Sequence, residues 1–266
     1  MEHLHQGNLG IRQVLREAPR ATLLWIHGLG ESGLGFEELM ASPRLAGYSH
    51  RAPDLAGYGR SAWASGAVGL REHVEIVLRD AENLPSPVIL VGHSMGGVIG
   101  QWAVAAAPQR FAAFVNVEGN ISLEDCGFSR RIAEYEREAF LGAGFHRLLA
   151  SIYRAGVKDL PLAGYYASMR LCDPRTLYLN SEELVSCSGA QTLAMELAAL
   201  EVPTIYLYGN PRGTGAHSRS LLDVAGVPWK GIDAAGHWPF LDQPEAFLDE
   251  LVAFLDTLEL ASSALP

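Results

Sequence analysis

The sequence has few of the features that mark several large classes of protein. Only three of its 266 residues are cysteines (Cys126, Cys172 and Cys187), and an odd number in so long a chain predicts reduced thiols and no disulfide framework. Lys and Arg together number 20 against 30 Asp and Glu, which gives a formal net charge of −10. Nucleic acids and anionic membrane surfaces are bound mainly through basic side chains, so neither is an expected partner.

Long apolar runs are also missing. No stretch approaches the roughly 20 apolar residues that a membrane-spanning helix needs. The first twenty residues contain no basic segment followed by an apolar run, so no signal peptide is expected. Together with the reduced thiols, these features predict a cytoplasmic protein. The sequence does not indicate an oligomeric state.

Short apolar runs alternate with amphipathic stretches along most of the chain, and 48 % of the residues are hydrophobic. The predicted strands cover residues 9–15, 21–26, 48–52, 88–91, 111–117, 204–208 and 227–232. Helices are predicted at residues 71–83, 94–107 and 245–258. Strands that alternate with helices predict an α/β fold, in which helices cover both faces of a mostly parallel sheet.

Residues 121–200 break this alternation, because they have a helical pattern and no convincing strand. A crossover between parallel strands needs only about a dozen residues, so a connection of this length predicts an inserted helical unit. The predicted organisation is therefore a core of residues 1–120 and 201–266 with a helical cap at 121–200. The alternative is a set of helices that pack on the rim of the sheet without any role in substrate choice.

The strongest local motif is Gly92-His93-Ser94-Met95-Gly96-Gly97, which follows the apolar run 88–91 and opens a predicted helix. A G-x-S-x-G sequence between a strand and a helix indicates a sharp turn that exposes a serine nucleophile. Glycines on either side let the strand and the helix approach closely. The alternative is that Ser94 only caps the helix, since serine is common at that position.

Three further segments extend this motif into a family resemblance. They are residues 26–30 (IHGLG), residues 54–61 (DLAGYGRS) and residues 235–239 (AGHWP). With the serine motif, and in this order, they resemble the α/β-hydrolase superfamily. The resemblance implies a mostly parallel central sheet flanked by helices, with the helical cap inserted after strand 6, the strand at 111–117.

The resemblance also implies a catalytic serine, a base and two oxyanion donors. His237 lies in the segment where the family places its base, and an imidazole titrates near neutrality. The expected oxyanion donors are the backbone N–H groups of Met95 and Leu29, with Gly30 as the alternative to Leu29. His93 is expected to pack against the sheet edge, and His27 to order the oxyanion loop.

No carboxylate occurs at the position where most relatives have the acid of the triad. After residues 204–208 the sequence reads Gly209 to Gly213 without a carboxylate, and the stretch 209–215 has the composition of a loop. Glu118 follows the apolar strand 111–117 directly, at the edge where α/β sheets bind ligands, and some relatives take their acid from this strand. We therefore expect a Ser94–Glu118–His237 triad, with Asp125 as the second candidate for the acid.

These residues predict a serine hydrolase of carboxylic esters or lactones. Other uses of the same triad remain open: C–C bond hydrolysis, thioester hydrolysis, a lyase or cyclase reaction, or ligand perception without rapid turnover.

The aromatic cap predicts a fairly hydrophobic small-molecule substrate, with Trp238, Tyr165 and Phe128 as expected contacts. Three nearby arginines have the pattern of a solvated helix face: Arg130, Arg131 and Arg137. No zinc-ligand spacing, phosphate loop or dinucleotide motif occurs, so neither a metal nor a cofactor is expected.

Overall fold

The computed structural model describes residues 1–17, 19–85 and 87–260. Their strands form one eight-stranded sheet in the order β1-β2-β4-β3-β5-β6-β7-β8. The strands are β1 Glu2–Gln6, β2 Leu9–Val14, β3 Thr22–Ile26, β4 Ser49–Pro53, β5 Val88–His93, β6 Phe111–Val117, β7 Thr204–Arg212 and β8 Trp229–Gly236. The pairs β1–β2 and β2–β4 are antiparallel, and the pairs from β4 through β3, β5, β6 and β7 to β8 are parallel. The predicted mostly parallel sheet is confirmed.

Twelve α-helices surround the sheet in the described part of the chain. They are α1 Glu37–Ala41, α2 Leu70–Glu82, α3 Met95–Ala106, α4 Gly127–Ala133, α5 Arg137–Ala139, α6 Phe145–Gly156, α7 Leu160–Met169, α8 Pro174–Gly189, α9 Leu193–Ala198, α10 Ala216–Ala225, α11 Pro239–Asp242 and α12 Pro244–Asp256. Short 3₁₀ segments lie at Gly33–Phe36, Pro43–Leu45, Pro108–Arg110 and Leu123–Cys126, and a π-helical turn lies at Phe140–Gly144.

Alternate residues of the central strands supply two separate apolar cores. In β3, Leu24 and Ile26 belong to the cluster that includes α2 and α3, whereas Leu23 and Trp25 belong to the cluster that includes α1 and α12. This follows from strand geometry, because successive side chains point to opposite faces of a sheet. Both faces are covered, and β3 is buried along its whole length.

The connection between β6 and β7 carries the helices α4 to α9, and no strand occurs in it. Its apolar residues, among them Ile132, Phe140 and Met169, belong to the same buried cluster as residues of α3 and β6. These helices therefore pack onto the sheet domain by burying side chains, and they lie over the edge where β5 and β6 end.

Three strand predictions need correction. β1 was not expected, because Glu2–Gln6 is polar and largely exposed as an edge strand. Residues 209–212, expected as loop, continue β7 and pair with β8 through Arg212. β8 begins and ends later than predicted, at Trp229–Gly236. In each case pairing with a neighbouring strand holds a segment whose own apolar pattern is weak.

Candidate active site

Ser94 lies in the tight turn between β5 and α3. Its backbone has φ 52° and ψ −121°, in the left-handed half of conformational space that residues other than glycine rarely adopt. A Cβ on Gly96 would lie 2.2 Å from the carbonyl oxygen of Ile26, so only glycine lets α3 approach β3 this closely. The Ser94 N–H donates to the carbonyl of Val117 at 2.9 Å, which ties the turn to the end of β6.

Glu118 and His237 contact each other although 119 positions separate them in the sequence. The Nδ1 atom of His237 lies 3.1 Å from Oε2 of Glu118. The Glu118 side chain is 2 % exposed and that of His237 is 39 % exposed. A carboxylate facing Nδ1 holds the proton there and leaves Nε2 free to accept another.

The contact with Glu118 also changes the acidity of His237. Burial alone would lower the pKa of His237, but the hydrogen bond and negative charge of Glu118 outweigh it, and the pKa is raised above its ordinary value of 6.5. The imidazolium is therefore stabilised, as a proton acceptor in catalysis requires.

The glycine-rich stretch 209–215, at the end of β7 and just beyond it, encloses the other oxygen of Glu118. Oε1 accepts hydrogen bonds from the N–H groups of Gly209 at 2.7 Å and Thr214 at 3.1 Å. A Cβ on Gly213 would lie 2.0 Å from this oxygen, so a larger residue would displace the carboxylate. A buried charge needs such partners. The stretch that lacks an acid of its own thus binds the acid from β6.

The second candidate acid lies elsewhere. Asp125 accepts hydrogen bonds from the N–H groups of Ile121 and Ser122 and from the hydroxyl of Ser218, at 2.9, 3.1 and 2.7 Å. It caps the 3₁₀ segment at Leu123–Cys126 and makes no hydrogen bond to His237 among the described residues. Burial raises the pKa of Asp125 despite these donors. These hydrogen bonds give Asp125 a structural role, as the cap of this 3₁₀ segment.

The oxyanion loop follows β3 and is ordered by His27. The Nε2 atom of His27 accepts the N–H of Leu55 at 2.9 Å, so its Nδ1–H donates to the carbonyl of Gly28 at 2.8 Å. Burial lowers the pKa of His27, which favours this neutral form. The hydroxyl of Tyr165 in α7 donates to the carbonyl of Leu29 at 2.9 Å. The cap thereby holds the peptide next to the expected oxyanion donor.

Three N–H groups remain available to an oxyanion. Met95 is the first residue of α3, so its N–H has no partner within the helix. The described residues offer no hydrogen-bond acceptor to the N–H of Leu29 or of Gly30, whereas the N–H of Gly28 donates to Glu31 at 2.9 Å. Leu29 and Met95 therefore stay the expected pair, with Gly30 as the alternative.

Glu31 is a buried residue of this region that the sequence did not single out. Its carboxylate also lies 3.0 Å from Nδ1 of His93 and accepts the indole N–H of Trp238 at 2.8 Å. The Nε2 atom of His93 lies 2.7 Å from the carbonyl oxygen of His237. His93 is thus buried as expected but also hydrogen-bonded on both sides. The sequence does show an acidic residue in the loop after His27-Gly28, which could have marked Glu31 as a candidate. Its partners, however, lie up to 207 positions away in the chain.

A cavity of about 540 Å³ brings the predicted site residues together. Ser94, Glu118, His237 and Leu29 line it. Phe128, Tyr165 and Trp238 line it too, and their rings contact one another in a row, with centroids 5.6 Å apart for Phe128–Tyr165 and 5.4 Å for Tyr165–Trp238. Met95 is fully buried and is not among the residues that line the cavity, so only its backbone N–H stays an expected donor.

Charged groups at the cavity are mostly acidic. Its lining includes the carboxylates of Glu31, Glu118, Glu124 and Asp125. Arg131, predicted on a solvated helix face, is exposed and also lines this cavity, as does Arg212. Residues 1–17, 19–85 and 87–260 contain no cluster of three or more His, Cys, Asp or Glu side chains suited to a metal ion. None of the described helices has the length and apolarity needed to span a membrane.

Known proteins are similar to this chain in sequence and in fold. The protein-family model described as "Alpha/beta hydrolase family" matches residues 23–250 of the sequence. The chain is 27 % identical over 263 residues to the pimeloyl-[acyl-carrier protein] methyl ester esterase of Pectobacterium carotovorum subsp. carotovorum (strain PC1), covering 89 % of this chain and 95 % of that protein. It is 29 % identical over 254 residues to the 2-succinyl-6-hydroxy-2,4-cyclohexadiene-1-carboxylate synthase of Serratia proteamaculans (strain 568), covering 90 % and 94 %.

Among solved structures, a hydrolase from Pseudomonas aeruginosa PA01 superposes with a TM-score of 0.76 at 23 % identity, covering 96 % of this chain and 97 % of that one. That likeness concerns the fold. With the family model spanning all four motifs, the strained serine turn and the eight-stranded sheet, the chain belongs to the alpha/beta hydrolase family.

Proposed function

We propose that this protein, a carboxylic ester hydrolase, cleaves an ester or lactone of a fairly hydrophobic small molecule through an acyl-enzyme on Ser94. The observation that carries the proposal is the 3.1 Å contact of Glu118 with His237 beside the cavity that Ser94 lines. A base held by a buried carboxylate, at a cavity that the serine also lines, is the arrangement that activates a hydroxyl nucleophile.

The first half of the reaction forms the acyl-enzyme. Nε2 of His237 takes the proton of the Ser94 hydroxyl while Oγ attacks the carbonyl carbon. The N–H groups of Leu29 and Met95 bind the resulting oxyanion. The C–O bond to the leaving group then breaks, and His237 returns its proton to the departing alkoxide. In a lactone that alkoxide stays attached to the acyl group.

The second half releases the acid. His237 takes a proton from water, whose oxygen attacks the acyl carbonyl, and the same two N–H groups bind the second oxyanion. The bond to Oγ breaks and Ser94 recovers its proton. The Glu118 carboxylate stabilises the imidazolium in both halves.

The cavity supports an uncharged and mainly apolar substrate. About 540 Å³ lies within the usual size of small-molecule sites. Its cap side carries apolar side chains: Phe128, Leu148, Ile152, Leu162 and Leu184. The four carboxylates of the lining disfavour an anionic acyl group next to the reacting carbonyl.

A lyase reaction is the second candidate. The relative from Serratia proteamaculans bears the name of a synthase and aligns with 90 % of this chain. The same triad would then remove or return a proton without forming an acyl-enzyme. The two candidates differ in whether Ser94 becomes acylated.

A substrate panel with an active-site label tests the proposal. We expect wild-type protein to hydrolyse p-nitrophenyl esters and simple lactones, and a fluorophosphonate to form one adduct per chain, on Ser94. Ser94→Ala should lose both hydrolysis and labelling at unchanged thermal stability. Absence of turnover on esters, lactones and thioesters together with an unlabelled Ser94 would refute the proposed function.

A further inference from the structure

Glu31 joins the three loops that meet at the reaction centre. It is 8 % exposed, and its two oxygens accept from the N–H of Gly28 in the oxyanion loop, from His93 in the serine turn and from the indole of Trp238 beside the base. The triad mechanism does not use this carboxylate. Its location at the contact of three otherwise separate loops points to a part in holding them.

The two ring nitrogens of His93 both face acceptors. Nδ1 lies 3.0 Å from Oε2 of Glu31, and Nε2 lies 2.7 Å from the carbonyl oxygen of His237. A carbonyl oxygen can only accept, so Nε2 carries a proton. Burial raises the pKa of Glu31, but the charge and hydrogen bond of His93 and the N–H donors of Gly28 and Trp238 lower it to about 2. The two oxygens of Glu31 already accept the N–H groups of Gly28 and of the Trp238 indole, so the carboxylate faces Nδ1 as an acceptor, and Nδ1 carries a proton as well.

We propose that Glu31 is a positioning residue that holds His93 as an imidazolium and, through it, fixes the main chain of His237. The chain of contacts runs from the Glu31 carboxylate to Nδ1 of His93 and from Nε2 of His93 to the carbonyl of the catalytic base. The same carboxylate accepts the N–H of Gly28, the residue before Leu29. The N–H of Leu29 is the expected oxyanion donor. One buried charge thus sets the distance between base and oxyanion hole. This inference rests on the proposed function.

Aromatic rings pack around the His93 side of the pair. The ring of His93 stacks edge-on to Phe240, with centroids 5.0 Å apart, and lies 4.9 Å from the ring of His237. His93 is fully buried. In such surroundings an ion pair holds its geometry only while every partner is present, and loss of one partner leaves a buried charge.

Kinetics of Glu31→Gln test the positioning role. Both oxygens of Glu31 accept hydrogen bonds in all three contacts. A glutamine places an NH₂ group at one of these two oxygen positions, where it faces an N–H donor and cannot accept from it. A displacement of about 1 Å in a catalytic group costs on the order of 100-fold in rate. We expect kcat per fluorophosphonate-titrated site to fall by about 30-fold or more, with KM changed by less than about threefold. Trp238→Phe, which removes only one of the contacts, should lose less.

Glu183→Gln is the matched control. Glu183 also accepts a main-chain N–H, that of Leu70 at 2.7 Å, but it does not line the cavity. We expect kcat per titrated site to stay unchanged and thermal stability to change little, because the amide oxygen of a glutamine keeps the Leu70 N–H. If Glu31→Gln likewise keeps kcat per site within about threefold of wild type, the positioning role is wrong.

Nitrogen-15 NMR of histidine-labelled protein tests the proton count without turnover. At pH 7 we expect two ring N–H signals for His93, assigned by their loss in His93→Gln, and only one in Glu31→Gln. A single ring N–H for His93 in wild-type protein would overturn the inference. Because the spectrum needs no substrate, it separates this result from failure of the proposed function, which would show as an unlabelled Ser94.

Discussion

Replacing Glu118 by glutamine isolates the charge of the proposed acid from its packing. Oε1 of Glu118 accepts two N–H groups, from Gly209 and Thr214, whereas Oε2 faces only Nδ1 of His237. The amide oxygen of a glutamine is therefore expected to stay with the two donors. Its nitrogen then faces Nδ1 and donates to it, which moves the proton of His237 to Nε2, the atom that has to accept the proton of Ser94.

This wrong tautomer and the lost charge set the size of the effect. We expect kcat of Glu118→Gln to fall by about 10³ to 10⁴-fold, which corresponds to about 4 to 5.5 kcal/mol of activation free energy. Thermal stability should change little, because both buried N–H groups keep an acceptor. Glu118→Ala is a poorer probe, since it leaves both N–H groups unpaired at about 1–3 kcal/mol each.

The assay is hydrolysis of a p-nitrophenyl ester, with the active fraction titrated by fluorophosphonate and the melting temperature measured alongside. Asp125→Asn is the comparison, because Asp125 caps a 3₁₀ segment and makes no hydrogen bond to His237. It should lower the melting temperature and keep most of kcat. The reasoning is refuted if Glu118→Gln keeps kcat within about tenfold of wild type while Asp125→Asn is inactive.

Three further predictions concern the same site. Catalysis needs neutral His237, and Glu118 raises its pKa above 6.5, so the acidic limb of the kcat/KM–pH profile should lie above pH 6.5 and move to lower pH in Glu118→Gln; a limb that stays in place contradicts this. Tyr165→Phe loses the bond to the Leu29 carbonyl and should cost about 1 kcal/mol of unfolding free energy and a few-fold in kcat, measured by urea unfolding and steady-state kinetics. Gly213→Ala places a Cβ 2.0 Å from Oε1 of Glu118, so kcat should fall about 100-fold; unchanged activity would mean that the carboxylate moves freely.

Much of the fold followed from local pattern. Continuous apolar runs predicted the buried central strands, and β6 begins and ends where predicted, at Phe111–Val117. The strand at the edge of the sheet was harder to predict. β1 is polar and exposed, and only its pairing with β2 makes it a strand. The same holds for residues 209–212, which extend β7 by pairing with β8. Periodicity reports which side chains are buried, and it gives no information on which strand pairs with which.

The family fold, and the strand ends that carry Ser94, Glu118 and His237, can be recognised in the amino-acid pattern alone. Parallel strands end at one edge of a sheet, so residues after β5, β6 and β8 had to approach one another. That Glu118 and not Asp125 contacts His237, and that Glu31 joins the oxyanion loop to the base, emerges from the three-dimensional arrangement. Such hydrogen bonds depend on ångström distances between loops far apart in the chain. Composition and spacing along one chain carry no record of those distances.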